Sequence, residues 1–286
     1  MAHDPDATAA PVTPAPTTHR CAVLGRPIEH SLSPLIHTTA YAVLGIADDW
    51  SYGRHEVDEA GLAGFVAGCG PEWVGLSCTA PLKQAVLDLG RPTERARLLA
   101  SGNTFLFNDG DPWVENTDVT GLVGAFARAG VTSASTALLL GNGATARSAL
   151  AALAEMGVTD ALVLCRSRER AEASLGSLGE HLGVGLEYGP WGTVPDADAT
   201  DVLVSTVSTP LPPEVAAGLV SMTRACFEAT YNHYPTELDR AARAAGVVQL
   251  SGIDLLVGQA VDQVRLMTGR ACPPGPLLEV AYAALD

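Results

Sequence analysis

The sequence has few basic residues, no closely spaced cysteine pair and no long apolar run, and each shortage excludes a class of protein. Seventeen Lys and Arg residues stand against 32 Asp and Glu residues, which gives a formal net charge of −15. So acidic a balance argues against nucleic-acid binding, which needs basic surface. No apolar run reaches the ~18 residues that suggest a membrane helix. We therefore expect a protein that binds neither nucleic acid nor membranes.

The cysteines and the N-terminal segment indicate what kind of stabilisation and which cellular compartment to expect. None of the six cysteines forms a C-x-x-C pair, and no Cys/His cluster has zinc spacing, so we predict neither a metal site nor a disulfide framework. This usage fits a reducing compartment. Residues 1–19 are rich in Ala, Pro, Thr and Asp and lack the basic start and apolar core of a secretory signal. We predict a disordered tail over 1–19 and a cytoplasmic protein.

A glycine-rich turn in the second half of the sequence predicts a dinucleotide site. The apolar run 137–140 leads into Gly141 and Gly143, and an Ala- and Leu-rich stretch follows to about Met156. Glycines at these positions permit a sharp turn and a close approach of phosphates, which the N–H groups of the helix start attract. An ordinary strand-to-helix turn is the alternative. The candidate cofactor-binding residues of this loop are Gly141, Asn142, Gly143, Ala144 and Thr145.

The residues after the next predicted strand indicate whether the cofactor is NAD or NADP. An NAD enzyme places an Asp or Glu about 20 residues after the glycines, where it binds the ribose hydroxyls. Here the predicted strand 161–164 is followed instead by Arg166, Ser167 and Arg170. Because guanidinium groups bind a 2′-phosphate through paired N–H groups, we expect NADP as the cofactor. A basic helix start that only faces solvent is the alternative.

The order of predicted elements gives the fold class. Strands and helices alternate after the glycine turn, which is typical of a doubly wound parallel sheet, so we predict an α/β protein. Asp109-Gly110 predicts the turn of a hairpin over 103–115. The predicted strands are 20–25, 50–57, 73–78, 137–140, 161–164, 201–205, 225–230 and 247–251. The predicted helices include 34–44, 59–67, 81–89, 236–245 and 255–268, together with one that follows the segment 116–121 and ends at about Ala129.

Several polar residues of the first half have both a structural and a functional interpretation. Ser31 and Ser33 flank one residue of a loop, and such a pair can hold a polyol or a carboxylate, although Ser33 can also cap the helix that Pro34 begins. Lys83 lies in the first turn of a predicted helix, where a cation opposes the helix dipole. A solvated surface lysine is the alternative. Asp118 can simply cap the helix that follows it.

Together the motifs resemble those of the shikimate dehydrogenase family, of the type found in actinobacteria. The resemblance extends from about Arg20 to Ala284. The motifs that carry it are H-S-x-S-P at 30–34, T-x-P-x-K at 79–83, N-T at 103–104, N-T-D at 116–118, A-T-Y-N at 229–232, and the late Gly252 and Gln259. The sequence departs from common family residues at Ser77-Cys78, in the dinucleotide loop 141–145, and at Cys165, Glu228 and His233.

The resemblance implies a role for each matched residue. Lys83 is expected to be the catalytic lysine, and Asp118 the aspartate that partners it. The other matched residues are expected to bind ligands. Ser31, Ser33 and Tyr231 would bind the carboxylate of the substrate, and Thr79, Asn103 and Gln259 its hydroxyl groups. Gly252 is expected to contact the cofactor.

The resemblance also implies a domain organisation and a reaction. A substrate domain over 20–120, completed by C-terminal helices within 252–286, is expected beside a Rossmann-like NADP-binding domain over 121–251. The implied reaction is the reversible reduction of 3-dehydroshikimate to shikimate by NADPH, in a monomer or homodimer. The alternatives are a quinate, aminoshikimate or aminoquinate dehydrogenase, a non-catalytic NADP-binding regulator, and a methylenetetrahydrofolate dehydrogenase. The Lys83–Asp118 pair argues against the regulator, and the two-serine loop argues against the folate enzyme.

Overall fold

The computed structural model describes residues 18–231 and 234–285, which form two six-stranded sheets with helices around them. Its strands are β1 (His19–Gly25), β2 (Trp50–Glu56), β3 (Trp73–Cys78), β4 (Arg91–Pro92), β5 (Thr104–Leu106), β6 (Trp113–Glu115), β7 (Thr136–Leu140), β8 (Asp160–Cys165), β9 (Gly185–Pro190), β10 (Thr200–Ser205), β11 (Thr223–Glu228) and β12 (Val248–Ser251). Its helices are α1 (Ser33–Val43), α2 (Glu59–Ala67), α3 (Glu94–Leu98), α4 (Asp118–Arg128), α5 (Ala144–Glu155), α6 (Arg168–Ala171), α7 (Ser177–Leu182), α8 (Pro213–Ser221), α9 (Glu237–Ala245), α10 (Gly252–Thr268) and α11 (Pro274–Ala283).

Most of the predicted tail lies outside the described residues. Residues 1–17 are not described, and neither are the motif positions Asn232 and His233. His19, which the sequence places in the tail, already belongs to β1 and pairs with Trp50 of β2. No helix of the described ranges is both long and apolar enough to cross a membrane.

The C-terminal sheet is the doubly wound parallel sheet that the alternation of elements predicts. Its strand order is β12-β11-β10-β7-β8-β9, and every pair in it is parallel. The four apolar residues 137–140 are all buried in the central strand β7. Leu139 packs in the cluster that contains α5, whereas Leu138 and Leu140 pack with α8 on the opposite face. A strand covered on both faces must be apolar throughout, which explains the unbroken run.

The N-terminal sheet is mixed and has the order β2-β1-β3-β5-β6-β4. Strands β1, β2 and β3 are parallel, and β5 and β6 form the antiparallel hairpin that Asp109-Gly110 predicts. The C-terminal helices α10 and α11 return to this half of the molecule, where Ile253, Val257 and Leu277 pack against Ile36 and Ala40 of α1. The predicted α/β class and the return of these helices are therefore confirmed.

One predicted helix is wrong. Residues 81–84 form a turn, and only a short 3-10 helix, Ala85–Asp88, follows it. The backbone forms a different set of hydrogen bonds here, since Leu82 N–H donates to the Thr79 carbonyl and Gly102 N–H donates to the Lys83 carbonyl, at 2.8 and 2.7 Å. Lys83 therefore does not oppose a helix dipole, and the loop around Gly102 holds its backbone.

The capping alternatives for Ser33 and Asp118 are also wrong. Leu32 is the N-cap of α1, and Ser33 is already helical. Thr117 is the N-cap of α4, and Asp118 is its first residue. The hydroxyl of Ser33 and the carboxylate of Asp118 cap neither helix, so both groups are available to the cleft described below.

Candidate active site

A cleft of about 650 Å³ is lined by residues that follow β1 and β3 and by residues from the starts of α5 and α10. Thr145 of the glycine loop and Gly252 of α10, both predicted on the cofactor side, line it. The residues that the resemblance gives to catalysis or to the substrate line the same cleft, and these are Ser31, Ser33, Thr79, Lys83, Asn103, Asp118, Tyr231 and Gln259. The fold thus brings together residues from both ends of the chain.

Lys83 and Asp118 form a close ion pair in the cleft. Lys83 Nζ donates to Asp118 Oδ2 at 2.6 Å, and the two side chains are only 15% and 6% exposed. The neighbouring residue Leu82 is fully buried and anchors this part of the loop. Lys83 is also the only lysine among the 286 residues, all other side-chain cations of the Lys/Arg type being arginines. A proton donor held against a carboxylate in a cleft has the arrangement that general acid–base catalysis requires.

Asn103 fixes the second oxygen of the aspartate. Its Nδ2 donates to Asp118 Oδ1 at 2.9 Å and to Thr117 Oγ1 at 3.0 Å. Its Oδ1 accepts from the Thr117 backbone N–H at 2.9 Å and from the Thr104 hydroxyl at 2.9 Å. Because a backbone N–H can only donate, the amide orientation is determined. Both oxygens of Asp118 therefore have a defined donor.

The two serines lie on the loop that leads into α1. Ser33 N–H donates to Ser31 Oγ at 3.3 Å, and Ser33 is 3% exposed. The guanidinium of Arg54 donates to the carbonyl oxygen of Glu29 and, at 3.4 Å, to that of Ser31. Sequence reasoning missed Arg54, because only the register of β2 beside β1 brings it to this loop.

The late motif residues complete the wall of the cleft. Burial raises the pKa of the Tyr231 hydroxyl, so this group stays a neutral hydrogen-bond donor at ordinary pH. Gln259 Nε2 donates to the Leu256 carbonyl at 2.7 Å, which orients its carboxamide. Gly252 approaches the backbone closely, since a Cβ atom there would lie 2.1 Å from the Ala229 carbonyl oxygen. Any side chain at Gly252 would displace the segment after β11 that contains Ala229 and Tyr231.

A buried polar network beneath the cleft was not predicted. Gln263 and Ser77 line the cleft, and Ser77 donates to Gln263 Oε1 at 2.7 Å. Tyr52 donates to Ser77 at 2.6 Å, and His37 Nε2 lies 3.3 Å from Gln263 Oε1. Burial lowers the pKa of His37 to about 3. Gln263 lies four residues after Gln259, so both face the same side of α10, and this spacing is the signal that could have identified it.

The glycine loop has the geometry that a dinucleotide needs. Gly141 has φ of +106°, and a Cβ atom there would lie 2.5 Å from Thr206 Oγ1. Gly143 is the N-cap of α5, and Ala144 is its first residue, so the free N–H groups of the helix start face the loop. The residues present therefore fit a pyrophosphate that approaches the backbone closely.

A smaller pocket of about 220 Å³ adjoins the glycine loop. Arg166 donates to Thr209, and its guanidinium lies 5.8 Å from the centre of the Trp191 ring. Arg168 does not line this pocket, and it forms an ion pair with Glu172. None of the described residues that line the pocket is acidic, and these include Gly141, Asn142, Arg166, Ser167, Arg170 and Trp191. The pocket thus has the charge that a 2′-phosphate requires.

The cysteines and the other metal-ligating side chains form no cluster in the described part of the chain. Within these ranges no three His, Cys, Asp or Glu side chains are grouped to hold a metal ion. All six cysteines are unpaired. Cys78 lies at the cleft wall, and burial raises the pKa of its thiol to about 12, so it remains protonated.

Comparison with known proteins identifies the family to which the chain belongs. Residues 23–105 match the family model described as the shikimate dehydrogenase substrate binding domain. A shikimate dehydrogenase (NADP(+)) of Methanothermobacter thermautotrophicus is 32% identical over 273 residues, which cover 92% of this chain and 95% of that protein. The crystal structure of Mycobacterium tuberculosis shikimate dehydrogenase is 40% identical, with a TM-score of 0.82, and covers 94% of this chain and 100% of its own.

A ligand-bound structure has the same fold. The Thermus thermophilus shikimate 5-dehydrogenase in complex with NADP(H) and shikimate is 29% identical, has a TM-score of 0.80, and covers 93% of this chain and 99% of its own. Identity above 30% to the first two relatives across more than nine tenths of both chains, together with agreement of the fold, establishes the relationship. The chain therefore belongs to the shikimate dehydrogenase family.

Proposed function

We propose that the cleft catalyses the reversible reduction of 3-dehydroshikimate to shikimate by NADPH, with Lys83 and Asp118 as the catalytic pair. Membership of the family makes the chain an NADP-dependent oxidoreductase. The observation that carries the proposal is the 2.6 Å contact between Lys83 and Asp118 in a cleft that also contains the two-serine loop. A silent NADP-binding regulator would have no need for this pair.

The catalytic residues would move one proton. NADPH supplies the hydride when it is bound, and the carbonyl oxygen of the substrate then develops negative charge. Lys83 Nζ donates a proton to this oxygen and stabilises its charge, and in the oxidation direction Lys83 accepts that proton. Asp118 holds the lysine in place through Oδ2, while Asn103 holds Asp118 through Oδ1.

The remaining cleft residues would bind the substrate. Ser31, Ser33 and Tyr231 present hydroxyl groups for the carboxylate, and they must hold it against a protein of formal net charge −15. Local neutral donors can do so at short range, where they outweigh the screened field of distant acids. Thr79, Asn103 and Gln259 would bind ring hydroxyls on the other side of the cleft.

The cofactor would lie along the glycine loop. Its pyrophosphate would contact Gly141, Asn142, Gly143, Ala144 and Thr145, and its 2′-phosphate would contact Arg166, Ser167 and Arg170. Gly252 would leave space on the nicotinamide side. In this proposal 20–120 and 252–286 form the substrate domain and 121–251 the NADP-binding domain, of a cytoplasmic monomer or homodimer.

The test is an initial-rate assay of the purified protein with shikimate or quinate, each with NADP or NAD. We expect the highest kcat/KM with shikimate and NADP. A preference for quinate or for an amino analogue would keep the fold and the catalytic pair and overturn the substrate. No turnover with any of these substrates, despite NADP binding, would favour the regulator.

A further inference from the structure

Arg147 is a half-buried cation without an acidic partner. It lies in the first turn of α5, three residues after the residue that begins the helix, and it borders a polar cavity of about 380 Å³. Desolvation lowers the pKa of its guanidinium. Among residues 18–231 and 234–285, no carboxylate forms an ion pair with it. Burying a cation without a counter-charge costs free energy. The reason for an arginine at this position must therefore lie in the hydrogen bonds that its guanidinium donates.

Those hydrogen bonds join three separate segments. Arg147 Nε donates to the Leu99 carbonyl at 2.7 Å, and Nη2 donates to the Ala100 carbonyl at 3.2 Å. Nη1 donates to the Ser174 hydroxyl at 3.3 Å. Ser174 in turn donates to the Asn142 carbonyl of the glycine loop at 2.7 Å. One side chain therefore connects the glycine loop to the segment 99–103, which we call the linker segment.

The linker segment leads directly to the catalytic pair. Gly102 N–H donates to the Lys83 carbonyl at 2.7 Å, and Asn103 donates to Asp118. Ala100, the residue whose carbonyl Arg147 holds, has φ of +43°, a left-handed conformation that is unfavourable for alanine and persists only where its surroundings enforce it. The hydrogen bond from Arg147 is one of the contacts that this backbone makes.

Asn116 forms a second connection between α5 and the linker segment. Asn116 Nδ2 donates to the Ser101 carbonyl at 2.9 Å and to the hydroxyl of Ser148, the residue after Arg147, at 3.0 Å. Asn116 Oδ1 accepts from the Asp118 N–H at 3.0 Å. Helix α5, whose N-terminus faces the glycine loop, is thus tied to both partners of the catalytic pair.

We propose that Arg147 is a positioning residue that sets the distance between the bound cofactor and the Lys83–Asp118 pair. It acts through the Leu99 and Ala100 carbonyls on one side and through Ser174 and Asn142 on the other. The inference rests on the proposed reaction, because it concerns the alignment of hydride donor and substrate. Misplacement by about 1 Å at a reacting centre can cost about 100-fold in rate even when both ligands bind.

The test compares Arg147→Ala with Arg95→Ala. Arg95 Nη2 also reaches α5, where it pairs with Glu155 at 3.3 Å, but that pair is exposed. Both variants remove one guanidinium that connects α5 to the N-terminal half of the chain. An exposed ion pair contributes only about 0–1 kcal/mol to stability, so Arg95→Ala is the matched control. The readouts are kcat, KM, the dissociation constant for NADP by fluorescence, and the primary deuterium isotope effect with shikimate labelled at the oxidised carbon.

We expect kcat of Arg147→Ala to fall at least about tenfold, which corresponds to about 1.4 kcal/mol. The dissociation constant for NADP should change by less than about threefold. The isotope effect on kcat should increase, because hydride transfer becomes slower, and millimolar guanidinium should restore part of kcat where equal sodium chloride does not. Arg95→Ala should retain the wild-type values.

Each contrary result overturns the inference. These results are an unchanged kcat, a loss of NADP affinity as large as the loss of kcat, an unchanged isotope effect, or no difference between guanidinium and sodium chloride. Arg147→Lys carries the same test if the alanine variant does not fold, since lysine keeps the charge but reaches fewer of the three acceptors. If the wild type does not oxidise shikimate, the proposed function fails and this inference falls with it.

Discussion

Lys83 Nζ lies 2.6 Å from Asp118 Oδ2, and Asn103 Nδ2 lies 2.9 Å from the other oxygen of the same carboxylate. The carboxylate therefore has one partner that can exchange a proton with the substrate and one that can only orient it. Since Lys83 is the only lysine of the chain, no neighbouring lysine can replace it.

Replacing Lys83 by alanine should lower kcat by about 10²–10⁴-fold, the range expected for a lost general acid. The physical reason is that no other cation is paired with Asp118 among the described residues. Steady-state rates with shikimate and NADP measure the effect, and NADP binding by fluorescence checks that the variant is folded. A kcat near that of the wild type would remove Lys83 from the mechanism.

Replacing Arg166 by alanine should raise KM for NADP by about 10–100-fold, because a hydrogen bond to a charged group contributes about 1.5–3 kcal/mol. KM for NAD, which has no 2′-phosphate, should change little. The control is Arg224→Ala, which removes an exposed arginine paired with Asp201 near the opposite end of β10. An equal rise for NADP and NAD would show that Arg166 does not read the 2′-phosphate.

The glycine loop and its flanking elements were predictable, whereas the turn at Pro81 was not. Gly141 and Gly143 stand between an apolar strand and an Ala-rich helix, and this local pattern contains the information that forms the turn. The segment after Pro81 looks like a helix start in the sequence but forms a turn, in which the distant Gly102 N–H donates to the Lys83 carbonyl. Such a contact between remote segments leaves no local signal.

Some residues of the candidate site were likewise predictable from the sequence, and others were not. Motif residues such as Ser31 and Asp118 were found from their spacing and from the family resemblance. Arg54 and Arg147 were missed, because their partners lie far away in sequence and are defined only by strand register and helix packing. Gln263 was missed although its spacing of four residues from Gln259 is a local signal. The capping alternatives for Ser33 and Asp118 failed because the residue before each of them, Leu32 or Thr117, is the N-cap of its helix.

Acid should destabilise the protein through His37. Burial lowers its pKa from 6.5 to about 3 in the folded state, so between these pH values the unfolded chain binds one more proton. The contribution of neutral His37 is complete above pH 6.5. It is lost by up to about 1.4 kcal/mol per pH unit as the pH falls below that value. Urea unfolding at several pH values measures this slope.

The variant His37→Gln should have a shallower dependence of unfolding free energy on pH than the wild type over the same interval. It keeps a polar side chain near Gln263 and removes the titrating group. Identical slopes for the two proteins would mean that His37 takes up no additional proton on unfolding.

Replacing Gly252 by alanine should lower the free energy of unfolding by about 1–3 kcal/mol, the usual cost of overpacking. The added Cβ would lie 2.1 Å from the Ala229 carbonyl oxygen and 2.9 Å from Tyr231 Cδ1. Gly64→Ala is the matched control, because nothing lies within 4 Å of its Cβ position in α2. It should stabilise the protein by about 0.5–1 kcal/mol, since Gly is unfavourable inside a helix. Equal stability of both variants in urea would contradict this close approach.

The role of Lys83 in the cleft is tested most directly by protection of its amine from acetic anhydride. Mass spectrometry can follow acetylation of this single lysine, with the N-terminal amine as the internal reference. We expect saturating shikimate and NADP together to slow the acetylation of Lys83 at least about tenfold, because the bound ligands fill the cleft and exclude the reagent. Without ligands, loss of activity should follow the acetylation of Lys83. Unchanged labelling of Lys83 at saturating ligand, or full activity of the acetylated protein, would show that Lys83 is not the catalytic lysine of this cleft.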